Sequence, residues 1–168
     1  MNKRTFSYTV FIVSALLFCN TAALAIGPYQ DGYAGAGTVR DQSTGLVWQK
    51  CSMGQTNNSS CSGTPGTVLW DAALTYCTGL SLGGRTWRLP NVNELLTIVD
   101  YSKYNPAIDT SSTAFINTPA WTDYWTSTSD PNIGIQNAAM YVSFIGGNVT
   151  AYIKGTTSIS VRCVSGPP

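Results

Sequence analysis

Apolar and polar positions follow two rhythms along this chain, and each change of rhythm marks an element. Trp87 and Leu89 alternate with Arg88, so this short segment reads as extended, with Arg88 turned to the other side or into a polar pocket. Pro90 keeps Leu89 out of the helical region. The period then lengthens. Val92, Leu95, Leu96 and Val99 fall at i, i+3, i+4 and i+7 and predict a helix reaching about Val99 or Tyr101. Asn91 is a good N-cap, and Glu94 stands three residues later, the spacing of a capping box. This stretch reads as the packing hub of the chain, with Trp87, Arg88 and Glu94 at its centre. An earlier helix is predicted from Trp70, Ala73, Leu74 and Cys77 at the same spacing, with Thr67 as its cap and Gly79, Gly83 and Gly84 turning the chain after it.

Elsewhere the period is two. Thr38-Val39-Arg40-Asp41, the turn Asp41-Gln42-Ser43-Thr44-Gly45 and Leu46-Val47-Trp48-Gln49 read as a hairpin, with Asp41 able to bond its own backbone. Trp121 to Thr128 is aromatic-rich and β-prone. Met140, Val142 and Phe144 alternate with Ala139, Tyr141 and Ser143, and Gly146-Gly147 turns the chain into Val149, Ala151 and Ile153. Ile159, Val161 and Cys163 are expected to finish that meander. Asp100 to Pro119 is a long connection without period, pinned by Phe115 and Ile116. Two helices segregated from an antiparallel sheet make the class α+β.

The first residues read as a leader. Lys3 and Arg4 precede a short apolar run from Val10 to Phe18, and Ala23-Leu24-Ala25 is a small-x-small cleavage site. Residues 1–25 are therefore a signal peptide, cleaved after Ala25, 26–37 a flexible lead-in or a weakly held edge, and 38–166 the domain. Cleavage leaves 143 of the 168 residues and no run long enough to span a membrane. It also removes two of the nine basic residues, leaving seven against eight acidic ones. With no basic patch, nucleic acid is not an expected partner. Charged residues make up only 10% of the chain, so its surface must be built from Ser, Thr, Asn, Gln and Gly, as in exported proteins. The expected location is secreted, periplasmic or on the cell surface.

Four cysteines remain after cleavage, which in an exported chain reads as two disulfides among three connectivities. Cys51 and Cys61 flank a polar loop and suit a local closure. Cys77 and Cys163 would then tie the first helix to the last strand. Without a histidine or a CxxC pair, zinc is not expected.

These residues fall into an order that resembles a known family. Asp41-x-x-Thr44-Gly45-Leu46-x-Trp48 comes first, then Trp70-x-x-Ala73 and Trp87-Arg88-Leu89-Pro90-x-x-x-Glu94-Leu95. Tyr124-Trp125-Thr126-Ser127-Thr128, Phe144-x-Gly146-Gly147 and Val161-Arg162-Cys163-Val164 follow. The pattern resembles the Lcl C-terminal domain family, named after a bacterial collagen-like adhesin, over about Val39 to Val164. The resemblance implies a C-type-lectin-like fold and a role in attachment, in that adhesin to sulfated host polysaccharides. Such binding asks for basic surface, and this chain has little. The closing Val161-Arg162-Cys163 also looks like formylglycine-generating-type domains, which use a reactive cysteine pair near the end of the chain. Only Cys163 stands there.

The candidate chemistry follows. Arg88 needs a carboxylate, with Glu94, Asp100 and Asp41 as the choices. Trp121, Tyr124, Tyr141 and Tyr152 are the aromatic ligand-binding candidates, Trp121 and Tyr124 being those expected to be exposed, whereas Trp125 is expected in the core. Asp109, Asp123 and Asp130 have Asn and Ser oxygens nearby, the ligand type calcium takes, but not an EF-hand spacing, so solvated loops are the expectation and no cofactor is assigned. No nucleophile stands with a base, and no catalytic activity is expected. The function expected is recognition of a glycan or a protein partner. The alternatives are a structural accessory domain without its own ligand, or a divergent formylglycine-generating-type enzyme.

Overall fold

A computed structural model describes residues 26–132 and 137–166, so the leader read at 1–25 lies outside the described residues. The fold starts from the Asp41 turn. Both carboxylate oxygens of Asp41 are taken up locally, Oδ1 by the Ser43 backbone N–H at 2.9 Å and its hydroxyl at 2.6 Å, Oδ2 by the Thr44 hydroxyl at 2.7 Å. Gly45 sits at a φ of 75°, which a side chain rarely adopts. The turn joins β2 (Thr38–Asp41) to β3 (Val47–Gln49). On the outer side β1 (Tyr29–Asp31) pairs with β2, so the segment read as a lead-in or weak edge supplies an edge strand.

A second sheet, in the order β4-β5-β6, is an antiparallel meander of β4 (Asp123–Ser129), β5 (Ala138–Ser143) and β6 (Asn148–Ile153). Both faces of its β4–β5 part are covered, whereas β6 is largely exposed. Tyr124, Val142 and Phe144 belong to one core with Trp48, Leu95, Ile98 and Phe115. Trp125, Ala139 and Tyr141 belong to the other with Ala73, Cys77, Trp87 and Val161. Buried on two sides, β5 loses the apolar-in, polar-out alternation of a surface strand.

The last strand departs from the expected meander. Residues 159–163 do not extend the sheet beyond β6. They run on the other side, bonded to Val68 through Ile159 and to Asp123 and Trp125 through Ser160. The chain then enters the first sheet as β7 (Val164–Ser165), paired with β3. Alternation of Ile159, Val161 and Cys163 specifies burial but not the neighbouring strand, and the bond to Cys77 draws the segment towards the helix.

The helices are shorter than their periodicity suggests. Helix α1 (Trp70–Thr78) begins after Leu69, which makes no side-chain cap, so Thr67 does not cap it. Its Ala73 and Cys77 are buried, and Trp70 and Leu74 pack beside them. Helix α2 (Val92–Leu96) has both halves of the Asn91–Glu94 capping box. It ends well before Tyr101, because Thr97, Ile98 and Val99 donate to carbonyls three residues back and tighten the chain into turns. Ile98 and Val99 still reach the core from those turns. Both disulfides close as expected, Cys51–Cys61 and Cys77–Cys163. The result is a small α+β domain with two antiparallel sheets and two short helices. Phe115 is buried, while Ile116 is only partly so.

Candidate functional site

Three short backbone ladders build a cleft beside β4. Val68 and Ile159 exchange hydrogen bonds of 3.0 and 3.2 Å, which sets Thr67 beside Ser158. Ser160 donates its N–H to the Asp123 carbonyl and accepts that of Trp125, both at 3.1 Å. Phe144 donates to the Thr122 carbonyl at 2.8 Å, fixing the residue before β4. The cleft between these segments encloses about 230 Å³ and is lined by Thr67, Trp121, Thr122, Asp123, Ser158, Ile159 and Ser160. Four of those seven carry hydroxyls, one is a carboxylate and one is a tryptophan, the donor, acceptor and stacking groups that a polyhydroxylated ligand uses.

Trp121 stands at the rim with 69% of its surface exposed. It is held by its backbone, not by packing. Its N–H donates to the Asn105 side-chain oxygen at 2.5 Å, and its φ is 56°, an uncommon conformation for a bulky residue. Asp123 lies on the wall. Its Oδ2 accepts from the Tyr152 hydroxyl at 3.4 Å, and its Oδ1 has no hydrogen-bond partner among the described residues. Tyr152 stacks on Tyr141 with ring centres 4.2 Å apart and planes 7° from parallel, and meets Trp125 edge-on at 6.3 Å. Burial pushes the Tyr141 phenol well above its usual value, and the Tyr152 hydroxyl and Asp123 charge push the same way, so it stays protonated.

Of the four aromatic candidates only Trp121 lines the cleft: Tyr152 and the buried Tyr141 stand behind Asp123 without lining it, and Tyr124 lies elsewhere. Expected at the surface, Tyr124 is wholly buried. It points to the opposite face of β4 from Asp123 and Trp125, because neighbouring side chains on a strand alternate. There its ring meets Phe144 edge-on at 5.2 Å and its hydroxyl lies 2.5 Å from Ser52 Oγ. Trp125 is in the core as expected, its indole N–H donating to the Val68 carbonyl at 2.9 Å.

The Arg88 guanidinium takes Glu94 as its partner and not Asp100 or Asp41. The oxygens considered for calcium do not converge. Asp109 binds Lys103 and Ser111, Asp130 accepts the Asn132 N–H, and among the described residues no cluster of three His, Cys, Asp or Glu residues suits a metal. Among them too, no helix is long and apolar enough to cross a membrane.

A family comparison agrees with this architecture. The model of the Lcl C-terminal domain matches residues 37–165. The chain belongs to the Lcl C-terminal domain family. The match spans both sheets from β2 onwards and both disulfides, so every wall of the cleft lies within the family domain. No curated protein matches the chain in sequence. Membership suggests a binding or adhesion-like domain, and the two disulfides are compatible with an extracellular or secreted protein.

Two exposed aromatics escaped the sequence reading. Tyr101 and Tyr104 are 69% and 71% exposed and stand on the loop that also carries Asn105. Their only signal was two tyrosines three apart in a connection without period.

Proposed function

We propose that this protein is an exported, non-catalytic recognition module of C-type-lectin-like fold that holds a carbohydrate in the Trp121 cleft. One observation carries the reading. A tryptophan with most of its surface in solvent is fixed by its backbone over a cleft whose other lining groups are mainly hydroxyls and a carboxylate. An exposed indole offers a flat apolar face to a sugar ring, and the exposed Thr67 and Ser158 hydroxyls offer partners to its equatorial groups. The hydrogen bond from the Trp121 N–H to Asn105 holds the backbone under the indole, which lowers the entropy cost of binding.

The enzyme alternative loses its thiol. Cys163 is bonded to Cys77, which argues against a formylglycine-generating-type reaction at that position.

The test is an array of immobilised glycans probed with the oxidised domain, with and without a calcium chelator. Selective binding that survives the chelator and disappears in Trp121→Ala is expected. Binding to no glycan, or binding untouched by Trp121→Ala, would overturn the proposal and favour a protein partner or a purely structural role.

A further inference from the structure

Two further exposed aromatics, Tyr101 and Tyr104, are carried by a loop bonded to the Trp121 rim of the cleft. The link is Asn105. Its side chain accepts the Trp121 N–H, and its own N–H donates to the Ile145 carbonyl at 2.9 Å. Beside it, Tyr104 approaches Gly146, and Tyr101 lies across Gly147. A Cβ built on Gly147 would stand 2.6 Å from the Tyr101 ring, and its φ is 83°, so only glycine lets the ring lie this close to the turn. Each tyrosine has one edge resting on a β-turn and most of its surface in water.

Hydrogen bonds tie the segments that carry these side chains to one another. Asp100 donates its N–H to the Ala107 carbonyl at 2.9 Å, and Ala107 donates back to the Phe144 carbonyl at 2.6 Å. Asp100 Oδ1 also accepts the Ser102 N–H and hydroxyl. Exposed aromatics normally belong to mobile loops. Here three of them, Trp121, Tyr104 and Tyr101, are carried by segments bonded to one another and to the second sheet.

The charge around the strip selects the ligand. Lys103, between Tyr101 and Tyr104 in the chain, lies 3.7 Å from Asp100 and 3.2 Å from Asp109, so its charge is already met by two carboxylates. Asp123 adds a third carboxylate at the cleft end, with no ion pair among the described residues. A sulfated or uronic-acid chain would meet more negative charge than positive along this path.

We propose that Trp121, Tyr104 and Tyr101 form one extended subsite for an uncharged polysaccharide, a chain of pyranose rings whose flat faces stack on the three aromatics. The inference rests on the carbohydrate reading of the cleft and names its ligand class. A long chain uses the whole strip. A short oligosaccharide occupies the Trp121 cleft alone.

The experiment is affinity electrophoresis of the oxidised protein in gels containing hydroxyethylcellulose, xyloglucan or glycol chitin as uncharged polymers, and heparin as the sulfated one. Oligosaccharides of two or three units from the retarding polymer are then titrated by calorimetry. Retardation by at least one uncharged polymer, unaffected by salt, is expected. Tyr101→Ala and Tyr104→Ala should each weaken polymer binding by roughly five- to tenfold while leaving oligosaccharide affinity unchanged. Trp121→Ala should remove both. Polymer binding untouched by both tyrosine variants would overturn the strip and leave the cleft standing. Retardation by heparin alone would overturn the ligand class. No retardation in any gel would overturn the proposal, and selective binding on the glycan array would then still support the cleft. All three side chains are exposed, so the variants are expected to keep the parent melting temperature, which circular dichroism checks.

Discussion

Arg88 and Glu94 meet through two parallel hydrogen bonds, Nη1 to Oε2 at 2.8 Å and Nη2 to Oε1 at 2.6 Å. Glu94 Oε2 also accepts the Asn91 N–H at 2.8 Å, so one carboxylate joins the strand-like segment to the cap of α2. Removing Arg88 leaves Glu94 with only its capping bond in a buried position. Arg88→Ala is expected to cost about 2 kcal/mol, below the range for a fully buried pair because the Arg88 side chain is 33% exposed. Chemical denaturation measures this, and an unchanged midpoint would show that the pair is ornamental.

The same pair sets an acid limit. Burial raises the Glu94 carboxyl, but the Arg88 and Asn91 hydrogen bonds outweigh it and hold the group below the usual carboxylate range. A depressed folded-state pKa contributes stability above the unfolded value, about 4.3, and loses it as the pH falls through the folded value. Thermal stability should therefore drop as the pH falls below about 4. Glu94→Gln should start lower at neutral pH and show a shallower acid decline.

Arg162 is a harder case than Arg88, because it is wholly buried and none of its hydrogen-bond partners among the described residues is a carboxylate. It donates to the carbonyls of Gln49 and Lys50 and to Thr118 Oγ1, and its guanidinium carbon lies 4.7 Å from the Phe115 ring centre and 5.4 Å from that of Tyr124. A lysine ammonium has neither the planar fork nor the stacking face. Arg162→Lys is expected to destabilise by roughly 3 kcal/mol. That corresponds to a melting temperature lower by roughly 10 °C in a domain of this size.

The two disulfides should differ in weight. Cys77–Cys163 closes a separation of 86 residues and Cys51–Cys61 one of 10. On the loop-entropy model these are worth about 4.6 and 2.7 kcal/mol. Replacing both members of the long bridge by alanine should therefore lower the denaturation midpoint more than replacing the short one. The reverse order would mean that the polar loop of residues 52–60 matters more than chain closure.

Gly147→Ala is expected to destabilise by about 1–3 kcal/mol. Its new methyl would enter space held by Val99 Cγ1 and the Tyr101 ring, each 2.6 Å away. Gly155→Ala, with nothing within 4 Å, should be close to neutral and serves as the control.

Local features were legible in the sequence because a few neighbouring residues determine them. The Asp41 turn, the Asn91–Glu94 cap and the short Cys51–Cys61 closure are of this kind. Partners far apart were not legible in the same way. Ile159, Val161 and Cys163 announced a buried strand, yet whether it lies beside β4 or β6 depends on which edge the rest of the fold leaves open. Tyr124 and Trp121 stand three apart in one aromatic run, and only the start of β4 at Asp123 sends one into the core and leaves the other outside. Periodicity overran α2 because Ile98 and Val99 are buried by turns that keep roughly the same side facing the core. Tyr101 and Tyr104 lie in a connection where no rhythm distinguishes inside from outside.

Residues 159–165 touch nearly every part of the domain: Val68 before α1, β4 through Ser160, the Gln49–Lys50 carbonyls through Arg162, α1 through Cys163, and both Arg88 and β3 through Val164. Each hairpin is local in sequence, but the two sheets are latched to each other only where residues 159–165 meet both. Folding of the domain therefore waits on contacts between residues about 90 to 120 positions apart, and is expected to be slow for its length.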